Sequence, residues 1–145
     1  MIGAESERTG QLRGERAIEL RVAPRLENLA VVRTLVGAVG TFEDLNVDTV
    51  ADMRLAIDEL CTQLIRSATP EATLVVAIDP RDDYVTVQAS ASCETFDVIA
   101  PGSFSWHVLT SLVDDVTVFH DGREPDGAGE IFGVTLTTRR AGAGR

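Results

Sequence analysis

The stretch Val47–Ala68 constrains the fold of this chain more than any other. Its apolar residues recur every three or four positions, which places them in one continuous stripe along a helix. The stripe consists of Val50, Met53, Ile57, Leu60, Cys61, Leu64 and Ala68. Asp48 is expected to cap the start of this helix, and Pro70 is expected to end it after Ser67 or Ala68. The sequence therefore predicts a long central helix that packs against a core along this stripe.

Polar side chains follow one edge of the same helix. They are Asp52, Glu59, Gln63 and Arg66, which lie three, four or seven positions apart. Residues at these spacings are neighbours on a helix surface, so the four side chains are expected to share one edge beside the core. This edge is where the sequence predicts the chemistry of a site.

The segments around the central helix show strand and helix patterns. The predicted strands are Ala17–Ala23, Thr73–Asp79, Tyr84–Ser90, Thr117–His120 and Ile131–Thr138, and the further helices are Leu26–Val39, ended by Gly40, and Ser105–Val113, capped by Ser103 or Ser105. A PRDD turn makes a hairpin of the second and third strands, and residues 91–104 are expected to form an irregular loop. Because the strands are grouped and connected by hairpins, the predicted fold is an α/β (α+β) two-layer sandwich, with a mixed or antiparallel sheet and helices on one face.

Charge excludes several classes of function. The formal net charge is -10, and the 13 basic residues are all arginine. An acidic surface repels nucleic acid, so direct DNA or RNA binding is not expected. The absence of lysine from the sequence excludes P-loop, Schiff-base and Ser-Lys chemistry. The acidic run Glu43–Asp48 is expected to be a solvated connection between helices.

A chain of 145 residues is long enough for one domain with a single core. Residues 1–15 and 141–145 lack periodicity, so they are predicted to be flexible tails around a single domain over residues 16–140. The sequence contains no long apolar run and no signal-peptide pattern at its N-terminus, which predicts a cytoplasmic protein without a membrane span. Cys61 and Cys93 lack metal-ligand spacing, and they are expected to be one buried thiol and one loop thiol.

The element order and three stretches of sequence resemble a known family. The stretches are PRLENLA, RTLVGAVGTFEDL and GSFSWHVLTSLVDDV. Together they resemble the GHKL (Bergerat-fold) ATPase domain, in its branch of RsbW/UsfX-type anti-sigma factors. The resemblance covers residues 16–140 and implies the histidine-kinase-like ATPase fold.

The resemblance also implies a function. Proteins of this branch bind and sequester a stress sigma factor of the F/B type, which keeps it from RNA polymerase. Release is implied to come from an anti-anti-sigma protein with a STAS domain, by partner switching, and a homodimer is implied as well. Arg33 and Glu27, on the polar side of the first helix, are candidates for partner contact, because this helix helps to form the partner surface in related proteins. Surface positions without a role are the alternative.

The kinases of this fold carry a glutamate and an asparagine one turn apart on the central helix. The glutamate takes the proton of the substrate hydroxyl, and the asparagine holds Mg²⁺. The pair here is Glu59 and Gln63. Glutamine has one more methylene than asparagine, so Mg²⁺ geometry is expected to suffer, and Gln63 would be a ligand only where Mg²⁺ is bound. Glu59 is then a vestigial base, or both are exposed helix residues without a site role.

Two further nucleotide motifs are altered in this sequence. The Asp-x-Gly-x-Gly motif aligns with Ala89, Ala91 and Cys93, and a methyl group cannot accept a hydrogen bond from adenine. The Gly-x-Gly motif before the short helix aligns with Ser103 and Ser105, whose hydroxyl and N–H groups are still suited to contact an anion. The expectation is therefore no cofactor, or ATP and Mg²⁺ bound weakly.

Three functions remain open from the sequence. The leading hypothesis is a non-catalytic anti-sigma factor. The alternative is an active serine kinase that phosphorylates the anti-anti-sigma factor with ATP, with Glu59 as the base and Gln63 on Mg²⁺. A small enzyme of another class, using the cleft beside the central helix, is the third.

Overall fold

The computed structural model describes residues 13–95, 97–123 and 129–141. The strands are β1 (Ile18–Val22), β2 (Leu74–Pro80), β3 (Tyr84–Cys93), β4 (Asp115–Arg123) and β5 (Glu130–Arg139), and the helices are α1 (Leu29–Phe42), α2 (Val47–Ser67) and α3 (Phe104–Leu112), with a 3-10 turn at Leu26–Asn28. Of the predicted tails, residues 1–12 and 142–145 lie outside the described residues. The predicted domain boundaries stay predictions.

The sheet has five strands in the order β1-β2-β3-β5-β4, and each neighbouring pair is antiparallel. Residues of β2, β3 and β5 are buried in one core cluster together with residues of all three helices, and partly buried residues of β1 and β4 pack against it. The opposite face carries polar side chains such as Gln88, which donates to the hydroxyl of Thr135 at 2.9 Å. The predicted α+β two-layer sandwich with helices on one face is confirmed, and the sheet is antiparallel.

Helix α2 packs along the predicted apolar stripe. Its buried residues are Met53, Ala56, Ile57, Leu60, Cys61 and Leu64. The prediction of its N-cap was wrong, because Asn46 rather than Asp48 caps the helix: the Asn46 side chain accepts from the backbone N–H of Thr49 at 2.8 Å. A side-chain acceptor at this position satisfies one of the N–H groups that a helix start leaves unpaired.

Helix α1 differs from its prediction at both ends. Residues Leu26–Asn28 form a 3-10 turn rather than α-helix, and the helix continues past Gly40 to Phe42. Gly40 does not end the helix, because its role is a close approach: a β-carbon there would lie 2.8 Å from Cγ2 of Val50 on α2. The residue with a left-handed backbone after this helix is Asp44, with φ of 61°.

We expect the substitution of alanine for two glycines of α1 to have opposite effects. A β-carbon at Gly37 would make an ordinary contact of 3.5 Å with Cδ of Arg54, so Gly37→Ala should stabilise the fold by about 0.5–1 kcal/mol through helix propensity. Gly40→Ala should instead destabilise it by about 1–2 kcal/mol, because Val50 is stiff and cannot move aside. Urea unfolding measures both.

The double variant Gly40→Ala/Val50→Ala is the control for this pair, because it removes the methyl group that obstructs the new side chain. The loss of stability in the double variant should be smaller than the sum of the losses measured for Gly40→Ala and Val50→Ala separately. A shift of the same sign for both single variants would contradict the packing at Gly40.

The hairpin β2–β3 is confirmed, and its second strand is longer than predicted. Strand β3 continues to Cys93, so the irregular loop shortens at its start. Helix α3 then begins at Phe104, and Ser103 is its cap, since the Ser103 side chain accepts from the backbone N–H of Trp106. The prediction of Cys93 as a loop thiol was wrong, because it is a buried residue of β3.

Candidate functional site

Three of the predicted site residues meet where α3 crosses α2. The hydroxyl of Ser105 donates to Oε2 of Glu59 at 2.5 Å. The side-chain amide of Gln63 donates to the same oxygen at 3.3 Å. Helical spacing of four residues brings Gln63 to Glu59, and the capped first turn of α3 brings Ser105. The carboxylate of Glu59 is thus held by two neighbours, and it joins the two helices.

Ser103 has a different environment from Ser105. Its hydroxyl caps α3 by accepting from the N–H of Trp106 at 3.2 Å, and Gly102, just before it, has a φ of 86°. A side-chain acceptor here satisfies one of the free N–H groups at the helix start. The oxygen that was predicted to face a nucleotide anion therefore pairs with backbone of its own helix.

The three altered positions of β3 are closed off by the core. Ala89, Ala91 and Cys93 are 0%, 1% and 2% exposed, and all three belong to the core cluster under the helices. In the sheet they pair with Val134, Phe132 and Glu130 of β5. The place where the resemblance would put a carboxylate for adenine is filled with apolar side chains.

Both cysteines are chemically quiet. Burial raises the pKa of the Cys61 thiol to about 12, with a smaller contribution from the charge of Asp58. Burial also raises the pKa of the Cys93 thiol to about 11, with a smaller contribution from Glu94. Only the thiolate is a nucleophile or metal ligand, so both groups are protonated and unreactive at neutral pH.

ATP and Mg²⁺ do not fit the residues that this region offers. Ala89 supplies no acceptor for an adenine amino group, and the polar groups of Glu59, Gln63 and Ser105 already bind one another. Within residues 13–95, 97–123 and 129–141, no group of three or more His, Cys, Asp or Glu side chains is placed to hold a metal ion. The described residues thus form a polar contact between two helices here.

The predicted partner residues lie on and before α1, and they pair with different neighbours. Nε of Arg33 donates to Oδ1 of Asp58 on α2 at 2.9 Å, and both side chains are partly exposed. Glu27 lies in the 3-10 turn, where its carboxylate is 3.9 Å from Arg25 in an exposed pair. Arg33 is therefore anchored between two helices while its guanidinium remains accessible to a partner.

An ionic cluster surrounds Glu43, and no pattern in the sequence predicted it. The Glu43 side chain is 9% exposed, and its carboxylate accepts from Arg140 at 2.6 Å and from Arg16 at 3.1 Å. Arg140 also donates to the backbone carbonyls of Glu43 and Arg81. The prediction that Glu43 belongs to a solvated connection was wrong, because it ties the end of α1 to both ends of the described chain. The bond from Arg140, and then that from Arg16, hold the pKa of Glu43 below its usual range despite partial burial.

An antiparallel five-stranded sheet covered on one face by three helices is the architecture expected of the GHKL ATPase fold class, and Glu59 and Gln63 lie one turn apart on its central helix. No protein-family model matches the sequence. The chain is 68% identical over 136 residues to the protein named anti-sigma-F factor RsbW in two strains of Mycobacterium tuberculosis, CDC 1551 / Oshkosh and H37Rv, which covers 94% of this chain and 81% of each relative.

A more distant relative is the protein named serine-protein kinase RsbW in Bacillus cereus strain B4264, which is 20% identical over 124 residues, covering 72% of this chain and 78% of the relative. The high identity to the mycobacterial proteins decides the family. The chain belongs to the RsbW family of anti-sigma factors. In the described part of the chain, no helix is both long enough and apolar enough to cross a bilayer.

Proposed function

We propose that this protein binds a sigma factor of the F type and sequesters it from RNA polymerase. The observation that carries the proposal is the 68% identity, over 94% of the chain, to a protein named anti-sigma-F factor. The charge of the chain supports it, because a net charge of -10 attracts the basic DNA-binding surfaces of a sigma factor. Covering those surfaces blocks promoter recognition directly.

The face formed by α1 and α2 is the proposed contact surface. Arg33 is fixed by Asp58 at 2.9 Å, so little side-chain freedom is lost when a partner binds its guanidinium. Glu27 lies six residues earlier, in the exposed 3-10 turn before α1, and is a second proposed contact. Both are exposed enough to reach a partner without a change in the fold.

Release is proposed to occur by competition. An anti-anti-sigma protein with a STAS domain would bind an overlapping surface and shift the sigma factor back to the free state by mass action. A homodimer, which the family resemblance implies, is proposed as the working form. Both statements rest on the family and extend the assignment to sigma-F.

Protein kinase activity, the function named for the Bacillus relatives, is not proposed. The carboxylate of Glu59, the expected base, accepts hydrogen bonds from Ser105 and Gln63. These two side chains are therefore engaged with Glu59. Ala89 and Ala91 are buried, so this part of β3 offers a nucleotide neither a side-chain hydrogen-bond acceptor nor an exposed backbone. In this proposal the Glu59 cluster joins helices, and the protein acts by binding alone.

A binding measurement with purified sigma-F-type factor from the source organism tests the proposal. The wild type should bind with a dissociation constant below about 1 μM, as sequestration requires. Arg33→Glu should weaken binding at least about tenfold, because it places a repulsive charge on the contact surface. Arg66→Glu makes the same charge change at the far end of α2 and should bind like wild type.

The swap Arg33→Asp/Asp58→Arg controls for the fold. It keeps an ion pair between α1 and α2 but moves the positive charge to the other helix, so it should restore thermal stability without restoring affinity. Absence of wild-type binding at micromolar concentration would overturn the proposed function.

A further inference from the structure

A groove runs along the outer surface between α1 and α2. Its first part, a hollow of about 630 Å³, is lined by Arg33, Gly37 and Phe42 of α1 and by Val50 and Arg54 of α2. A second hollow of about 350 Å³ shares Val50 and Arg54 with the first and continues to Val47 at the start of α2. The two hollows form one continuous groove, which we name the arginine groove.

Charge in the first hollow of the arginine groove is opposite to that of the protein, while the second hollow also includes one carboxylate, that of Asp44. The chain carries a net charge of -10, yet the first hollow is lined by two arginines and by no carboxylate. Arg33 is paired with Asp58 beside the groove. Arg54 makes no ion pair or hydrogen bond within the described residues. The groove therefore presents the guanidinium of Arg54, which is available to a ligand, and that of Arg33, which already pairs with Asp58.

The position of Arg54 is prepared by Gly37. A β-carbon at Gly37 would lie 3.5 Å from Cδ, 3.7 Å from Nε and 3.9 Å from Cζ of Arg54. The side chain of Arg54 therefore lies across the bare surface of α1, with its guanidinium along the groove. A side chain held in this way loses less conformational freedom on binding than one that extends into water.

Apolar side chains flank the arginines. Phe42 lines the first hollow and Val47 the second, and each is 82% exposed. Exposed apolar groups beside a groove mark interaction surfaces more often than chance, and an aromatic residue next to an arginine is a typical centre of binding energy. The groove thus offers a carboxylate site with an apolar platform on either side.

We propose that the arginine groove binds an acidic segment of the sigma factor, with a carboxylate on Arg54 and an apolar side chain on Phe42. This proposal rests on the proposed function and adds that the bound segment of the sigma factor is acidic. The occupant is a polypeptide rather than a nucleic acid, because the negative charge of the rest of the chain repels a phosphate backbone. A guanidinium binds a carboxylate through two parallel hydrogen bonds, which gives geometric selectivity that an ammonium lacks.

Charge reversal at Arg54, measured with the full-length sigma factor, tests the proposal. Arg54→Glu should weaken binding at least tenfold, Arg54→Lys should weaken it less, and Phe42→Ser should weaken it at least fivefold. Arg66→Glu should bind like wild type, since it makes the same charge change at the other end of α2, away from the groove. All four variants should keep the thermal midpoint of the wild type within a few degrees, since each changed side chain is at the surface.

A second measurement identifies the partner side of the contact. Among sigma-factor variants in which single Asp or Glu residues are changed to Arg, at least one should recover the affinity of Arg54→Glu. Wild-type binding that survives in Arg54→Glu would overturn the groove proposal and leave the proposed function standing. A change of oligomeric state in Arg54→Glu with unchanged sigma affinity would make a second copy the occupant and would overturn it too. Failure of the wild type to bind would overturn both.

Discussion

Replacing Ala89 with aspartate will lower the free energy of unfolding by about 3–5 kcal/mol, because it buries a charge that has no partner. Ala89 is 0% exposed and lies between Val134 of β5 and the helices. This substitution restores the aspartate that the Asp-x-Gly-x-Gly motif of the resembled ATPase fold implies at this position. The cost arises because the core has closed around a methyl group and offers no hydrogen-bond donor to a carboxylate.

Ser90→Asp is the matched control, since it adds the same carboxylate to the next residue of β3, on the polar face of the sheet. It should change the free energy of unfolding by less than about 1 kcal/mol. Urea unfolding gives the stability of both variants, and calorimetric titration with Mg-ATP gives their nucleotide affinity. A stable Ala89→Asp protein that gains micromolar affinity for ATP would show that the site is intact apart from one side chain.

Features that depend on local spacing were predicted well. The stripe of α2 from Met53 to Leu64 and the hairpin β2–β3 follow from side-chain periodicity and turn chemistry, and both are observed. The contact between Glu59 and Gln63 follows from helical spacing in the same way. These features need no knowledge of the tertiary structure, because their partners are within one helix or one hairpin.

Features that depend on distant partners were missed. Glycine is common at helix ends, which predicted an end at Gly40, but the constraint on this residue is the approach of Val50 from another helix. The predicted solvation of Glu43 was wrong because its partner Arg140 is 97 residues away in the sequence, beyond the reach of any local pattern. The position of the Arg54 side chain was also missed, because it depends on Gly37 of another helix. No sequence period reports such contacts, since they arise when separate elements pack.

The altered nucleotide motifs lie between these two cases. The resemblance located Glu59, Ser103 and Ser105, and it predicted that the carboxylate at Ala89 was lost. It did not predict that Ser105 would donate to Glu59. That contact requires Ser103 to cap α3, which is a local signal, and α3 to pack against α2, which is a tertiary contact.

Removing the buried carboxylate of the ionic cluster should be the second large effect on stability. Glu43→Gln leaves Arg140 without its charged acceptor, and we expect a loss of about 1.5–3 kcal/mol at pH 7. The control is Glu71→Gln, which removes an exposed carboxylate with no ion pair in the described part of the chain. It should leave the free energy of unfolding unchanged within about 0.5 kcal/mol.

The same cluster predicts how stability changes with pH. The hydrogen bond from Arg140 lowers the pKa of Glu43 in the folded state, whereas a glutamate in the unfolded chain has a pKa of about 4.3. Asp79 acts in the same direction: burial raises its pKa, but bonds from Arg81 and from the N–H of Gly14 outweigh burial and lower it. A group with a depressed folded pKa stabilises fully above its unfolded value and loses that contribution as pH falls through the folded value. Wild type should therefore lose stability steadily below about pH 5, and Glu43→Gln should show a shallower decline in urea unfolding from pH 7 to pH 3. An equal slope for the two proteins would mean that Glu43 titrates alike in the folded and unfolded states.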